Sequence, residues 1–91
     1  MADRALAVRV RGRVQGVAYR AWAQGVARRL GLRGWVRNLA DGSVAALVIG
    51  PEDRVEGMIR AMRRGPADAE VADLTLTEAR DDGSEDFRIR R

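Results

Sequence analysis

The chain has 91 residues with 46% apolar content, which is enough for one small domain with a single thin core. It has no cysteine and no histidine, so a disulfide framework, a thiolate metal site, the commonest general base and the commonest metal ligand are excluded. A net charge of +4 is compatible with an anionic ligand or a nucleic acid. No apolar run suits a leader or a membrane span, and we expect one cytoplasmic domain over residues 1–91.

The first elements in chain order are a strand, a glycine loop and a helix. Leu6, Val8 and Val10 alternate with small or charged residues, as in a half-buried strand. Residues 12–20 lead from this strand into an apolar pattern with helical spacing, which ends at Gly31. The next predicted elements are a strand over residues 34–39, an Asp-Gly hairpin turn over residues 40–43 and a return strand over residues 44–49. A helix over residues 51–65 follows, and then two strands over residues 71–79 and 87–89.

This order of elements is a split βαβ arrangement, βαββαβ with a short strand appended. It predicts an α+β fold in which an antiparallel sheet carries both helices on one face. The first strand and the return strand of the hairpin are expected to be the two central strands.

The loop between the first strand and the first helix is a candidate anion site. Gly12 and Gly16 lie in a strand-to-helix turn, where backbone N–H groups and the helix dipole converge on one point. Arg20 falls in or near the first helical turn, and its guanidinium can hold two phosphate oxygens. The alternative is a plain turn whose glycines only supply unusual φ values.

Asn38 is the second candidate, near the hairpin end of the second strand and on the same side as Val36. Its carboxamide can accept one hydrogen bond and donate another, and so can hold a water molecule if the strand lies beside the loop. The alternative is an asparagine that satisfies the backbone of the hairpin turn.

The residue inventory limits the chemistry that such a site can perform. Ser43 and Ser84 lie in turns without a neighbouring base, no lysine is present for a Walker-type loop, and no carboxylates recur at metal-ligand spacing. An arginine, a ring of amides and a water-holding carboxamide suffice only when the leaving group is good. The carboxylate of an acyl phosphate, whose conjugate acid has a pKa of about 4, needs no proton donor.

Two motifs resemble the acylphosphatase family. Residues 12–20, GRVQGVAYR, are similar to its first signature, and residues 34–38, GWVRN, followed by Asp41-Gly42-Ser43-Val44, are similar to its second. The similarity extends to Phe87-Arg88-Ile89. It implies a ferredoxin-like α/β sandwich that hydrolyses the carboxyl–phosphate bond of acyl phosphates to carboxylate and inorganic phosphate, with no metal and no cofactor.

The resemblance also implies roles for individual residues. Arg20 would hold the phosphoryl group, and Asn38 would orient the attacking water, whose proton the substrate's own phosphate would accept. The cradle for the phosphoryl oxygens would be made by the backbone amides of Gln15, Gly16, Val17, Ala18 and Tyr19.

Two other functions remain open at this stage. The same order of elements occurs in RNA-recognition modules, but the first strand and the return strand carry no aromatic residue for base stacking. A non-catalytic domain that senses an anion is the second alternative. We expect an enzyme that acts as a monomer, without nucleic acid or membrane as a partner.

Overall fold

The structure, a computed structural model, describes residues 3–91. It confirms the predicted order of elements, with small shifts at their ends. The elements are β1 (Arg4–Arg13), α1 (Tyr19–Arg29), β2 (Arg33–Asn38), β3 (Val44–Gly50), α2 (Glu52–Arg64), β4 (Glu70–Glu78) and β5 (Phe87–Arg90).

The five strands form one sheet in the order β4-β1-β3-β2-β5. Strands β1 to β4 pair antiparallel. Among these four strands, β1 and β3 are the two central ones, as predicted. The prediction of an antiparallel sheet is wrong for β5, which pairs parallel with β2. The sheet is therefore mixed.

The direction of β5 follows from the path of the chain. Strands β1 and β2 run the same way, and β4 runs the opposite way along the far edge of the sheet. Residues 79–86 pass to the other edge, so β5 starts at the end of the sheet where β4 stops and must run parallel to β2. Arg33 of β2 fixes this connection by donating to the Asp81 carboxylate and to the Ser84 carbonyl oxygen.

Both helices pack on one face of the sheet, as the period-2 pattern of the strands requires. The main core takes alternate residues of β1 and β3 and the apolar stripes of both helices: Leu6, Val8, Val10, Val44, Ala46, Val48, Ala23, Ala27, Val55, Met58 and Met62. The opposite face carries a smaller cluster of Ala5, Leu47 and Ile49, against which Trp35 packs.

The C-terminal end of α2 is tied to the N-terminal end of α1. Tyr19 is the first residue of α1 and is buried, and its hydroxyl donates to the carbonyl oxygen of Met62 at 2.8 Å. Met62 lies in the last turn of α2, where carbonyl groups have no partner within the helix. The bond therefore satisfies a buried acceptor and fixes the position of the glycine loop. Within residues 3–91 neither helix has the length and apolar character needed to cross a bilayer.

Candidate active site

The loop between β1 and α1 has a strained conformation at one residue. Gly16 has a φ of 74°, and Ala18, immediately before α1, has a φ of 62° and a ψ of 26°. Ala18 is the only non-glycine residue with positive φ in the described part of the chain. A left-handed alanine costs about 1–2 kcal/mol, and such strain is concentrated at functional sites.

The backbone N–H groups of this loop are available to a ligand. From Gln15 to Arg20 none of them has a hydrogen-bond acceptor among residues 3–91. The N-terminus of α1 has no side-chain cap and no acidic residue in its first turn, whereas α2 begins with Glu52 and Asp53. The positive end of the α1 dipole is thus left without a counter-charge, an arrangement that favours anion binding.

Gln15 fixes the loop through its side chain. Its Nε2 donates to the carbonyl oxygens of Leu39 and Ser43, each at 2.8 Å. Both acceptors belong to the hairpin that joins β2 to β3. The loop is therefore attached to the strand end that carries Asn38, a connection that the sequence did not reveal.

Arg20 is the second residue of α1 and is half-buried. No carboxylate of residues 3–91 forms an ion pair with it, although Arg4, Arg9 and Arg33 each have an acidic partner. A half-buried guanidinium without a partner retains its full attraction for an anion, and its fork geometry suits two phosphoryl oxygens.

Asn38 is the last residue of β2 and faces the helices, as predicted from its spacing to Val36. Its Oδ1 is buried and has no hydrogen-bond partner in the part of the chain that the structure describes. A buried acceptor without a donor costs about 1–3 kcal/mol, so this oxygen is suited to a donor from a ligand or water. The hairpin backbone is satisfied by Gln15 and Asp41 instead.

One cavity of about 190 Å³ brings Arg20 and Asn38 together with the glycine loop. Of the predicted site residues, Gly16, Ala18, Tyr19, Arg20 and Asn38 line it; Gln15 and Val17 do not. Larger depressions, of about 250, 360 and 370 Å³, lie elsewhere and include neither Arg20 nor Asn38.

Three further residues of the cavity were not predicted: Val14, Ala21 and Ile89. Val14 and Ala21 follow from the loop and the helix that carry the predicted residues. Ile89 comes from β5, and only the pairing of β5 with β2 brings it there. In the sequence, the only feature that pointed to Ile89 is its spacing of two residues from Phe87. This spacing places both side chains on one face of a strand, but it does not show which strand lies beside β5.

The lining of the cavity offers a guanidinium and hydrogen-bonding groups but no group for proton transfer near neutral pH. None of its lining residues is a carboxylic acid, a histidine or a cysteine. Burial raises the pKa of the Tyr19 phenol well above its usual value of about 10, and its hydroxyl is bonded to Met62. The site can therefore hold a phosphoryl group and a water molecule, but it cannot protonate a poor leaving group.

Comparisons with known proteins show the family of the chain. The chain matches the model of the acylphosphatase family over residues 6–89. It is similar to an acylphosphatase of Rhizobium etli, with 50% identity over 88 residues that cover 96% of this chain and 94% of the relative.

Two solved structures show the same fold. A crystal structure of an acylphosphatase from Bacillus subtilis has a TM-score of 0.91 and 36% identity, covering 96% of this chain and 98% of that one. An acylphosphatase from Coxiella burnetii has a TM-score of 0.93 and 32% identity, covering 98% and 94%. The extent of these matches and the agreement of the fold establish that the chain belongs to the acylphosphatase family.

Proposed function

We propose that the cavity between the glycine loop, α1 and the end of β2 is the active site of this enzyme. In it, Arg20 holds the phosphoryl group of the acyl phosphate. The backbone amides of Gln15, Gly16, Val17, Ala18 and Tyr19 cradle the phosphoryl oxygens, and Asn38 positions the attacking water. The observation that carries the proposal is that Arg20 and Asn38 line one small cavity together.

The reaction is a direct displacement at phosphorus. The water oxygen forms a bond to phosphorus while the bond from phosphorus to the acyl oxygen breaks, and the electron pair leaves on the carboxylate. Because this leaving group is the conjugate base of an acid of pKa about 4, it needs no general acid. The proton released by the water goes to the phosphate itself, since no carboxylate, histidine or cysteine lines the cavity to accept it.

Catalysis then consists of positioning and charge stabilisation. In the transition state the charge of the phosphoryl group is spread over its three equatorial oxygens, and fixed N–H donors with an adjacent guanidinium stabilise it without reorganising. The unpaired amides of the loop and the uncapped N-terminus of α1 support this role. The unsatisfied Oδ1 of Asn38 supports a hydrogen bond from the water.

We also propose that the reaction is independent of metal ions. The chain has no histidine or cysteine, and within residues 3–91 no three acidic residues converge on a point that could hold a cation. The positive charge that a metal would supply is available from Arg20 and the dipole of α1. Hydrolysis of benzoyl phosphate followed by absorbance in excess EDTA tests the reaction class and this independence together.

The roles of the two side chains are tested by substitution. Removing the guanidinium with Arg20→Ala is expected to lower kcat/KM by about 10³-fold or more, through weaker binding as well as slower chemistry. Asn38→Ala is expected to lower kcat by about 10²-fold while the inhibition constant of inorganic phosphate changes little. Arg28→Ala is the matched control, because Arg28 is an exposed arginine in the last turn of the same helix.

Each variant must keep the far-ultraviolet circular dichroism of the parent. Full turnover by Arg20→Ala, or loss of activity in Arg28→Ala equal to that in Arg20→Ala, would contradict the assignment. Tight phosphate binding by the parent with no turnover would favour an anion-sensing domain instead.

We further propose that the enzyme acts as a monomer in the cytoplasm, without nucleic acid or membrane as a partner. Only Leu76 and Ile89 are large apolar residues with exposed side chains in the described part of the chain, so no extended apolar surface is offered to a second copy. Sedimentation equilibrium at micromolar concentration measures the oligomeric state.

A further inference from the structure

Ile89 is an exposed apolar residue whose position the core does not explain. The residue is 39% exposed, and the comparable residue among residues 3–91 is Leu76, at 41%. Leu76 lies on β4, at the opposite edge of the sheet, beside a different depression. Ile89 instead lines the cavity that contains Arg20 and Asn38.

The parallel pairing of β5 fixes Ile89 at this point. Its register partner on β2 is Val36, which is fully buried on the helix face, and Phe87, two residues earlier on β5, is also fully buried. Gln24 of α1 donates to the carbonyl oxygen of Phe87 at 3.1 Å, which attaches β5 to the helix that carries Arg20. Ile89 thus continues the apolar row of β5 from the core to the wall of the cavity.

The cavity has lining groups of two kinds. Polar groups for a phosphoryl group come from the loop amides, Arg20 and Asn38. The other lining side chains are apolar, since the Tyr19 hydroxyl is bonded to Met62 and presents no donor to the cavity; they are Val14, Ala18, Ala21 and Ile89. A polar or charged acyl group would lose water against this wall without gaining a hydrogen bond.

We propose that Ile89 forms the wall of a subsite for the acyl group and makes the enzyme prefer acyl phosphates whose acyl group is apolar. This inference rests on the proposed function, because the phosphoryl group must occupy the Arg20 end. Each methylene that an acyl group buries against the wall adds roughly fourfold to affinity. The preferred substrate class is therefore an aromatic or aliphatic acyl phosphate and not a carbamoyl or amino-acyl one.

The test compares Ile89→Val with Ile89→Thr. Valine and threonine are both β-branched and similar in shape, so both variants retain the strand conformation and differ by a methyl group in one and a hydroxyl group in the other. Two phosphonates that cannot be hydrolysed, methylphosphonate and benzylphosphonate, serve as competitive probes of binding. The kcat/KM values for acetyl phosphate and benzoyl phosphate are measured alongside them.

We expect the parent to bind benzylphosphonate more tightly than methylphosphonate. The ratio of the two affinities should fall about fourfold in Ile89→Val and about tenfold in Ile89→Thr, with little change in methylphosphonate binding. The benzoyl-to-acetyl ratio of kcat/KM should fall in parallel. Leu76→Thr, the control with similar exposure, should leave both ratios unchanged.

Two results would overturn the inference, and they are distinguishable. If the parent hydrolyses acetyl phosphate but the affinity ratio is the same in Ile89→Thr, Ile89 is not part of an acyl subsite, and the proposed function stands. If the parent binds both phosphonates but the Arg20→Ala variant retains full turnover, the site itself is misassigned, and the inference fails with it.

Discussion

Replacing Gln15 with alanine would show how far one side chain fixes the glycine loop between β1 and α1. Gln15 Nε2 donates to the carbonyl oxygens of Leu39 and Ser43, and both bonds are 2.8 Å long and partly buried. They join the loop that carries the free amides to the strand end that carries Asn38. Their loss should therefore lower both stability and activity.

The size of the expected loss of stability depends on which hydrogen bonds the two carbonyl oxygens keep in the Gln15→Ala variant. The Leu39 oxygen still accepts from the N–H of Gly42 at 3.2 Å, and the Ser43 oxygen still accepts from the N–H of Leu39 at 2.9 Å. Neither acceptor is left unsatisfied, so each bond contributes only its net value of about 0.5–1.5 kcal/mol. Gln15→Ala should lower the free energy of unfolding by about 2 kcal/mol.

Gln15→Glu should be more destabilising at neutral pH, because a carboxylate presents only acceptors to two carbonyl oxygens. This contact disfavours the charged form, so the pKa of the new carboxyl group is raised in the folded state. An acid with a raised folded pKa destabilises the protein above its unfolded pKa, and the loss is recovered as the pH falls through the folded pKa. Gln15→Glu should therefore approach Gln15→Ala in stability near pH 4.

Urea unfolding measured by tryptophan fluorescence gives the free energies, and initial rates with benzoyl phosphate give kcat/KM. We expect about a tenfold fall in kcat/KM for Gln15→Ala, since displaced donors lose alignment with the phosphoryl oxygens. Arg54→Ala is the control: it removes one side-chain-to-backbone bond of 3.0 Å, to Leu30 at the C-terminal end of α1, and should cost about 1 kcal/mol or less with kcat/KM unchanged. Parental stability together with parental kcat/KM in Gln15→Ala would refute the reasoning.

Three further predictions follow from single contacts. Tyr19→Phe leaves a buried carbonyl oxygen at the end of α2 without a donor and should lower the free energy of unfolding by about 1–3 kcal/mol; an unchanged urea midpoint would contradict this. Gly34→Ala would place a Cβ 1.8 Å from the carbonyl oxygen of Leu47 on β3, at a residue whose φ is 132°, and should prevent cooperative thermal unfolding. Gly42→Ala is the control: a Cβ at Gly42 would meet no atom within 4 Å, so this variant should still unfold cooperatively. The Arg33 guanidinium lowers the pKa of the Asp81 carboxyl to about 2, so this pair stabilises the fold above about pH 4 and the contribution is lost as the pH falls through 2. Asp81→Asn should therefore lose less stability than the parent in an acid titration over this range, and identical acid titrations would count against the pair.

The order of elements and the main candidate residues for the site could be predicted from the sequence because they depend on local patterns. The alternation of Leu6, Val8 and Val10 requires one buried face whatever the neighbours are, and the structure places these residues in the core. The position of Arg20 in the first turn of α1 follows from a glycine loop next to a helical pattern. Asn38 faces the helices because side chains two residues apart on a strand share a side.

The contacts between residues far apart in the chain could not be predicted from local sequence patterns. Gln15 was predicted only as a backbone amide, and its side-chain bonds to Leu39 and Ser43 depend on where the hairpin packs. The parallel direction of β5 depends on the path of residues 79–86 across the end of the sheet, which periodicity does not encode. Ile89 joined the cavity only through that pairing.

The amino-acid sequence by itself determined the repertoire of chemistry: a small basic chain without histidine or cysteine, a glycine turn suited to an anion, an arginine and a carboxamide. These properties belong to residue types and to spacings of a few positions, so they need no knowledge of the fold. The tertiary structure alone decided which of these groups share a cavity and what forms its other wall. Loop, helix, β2 and β5 are separated in the chain by up to about 75 residues, and only packing brings their side chains within reach of one small molecule.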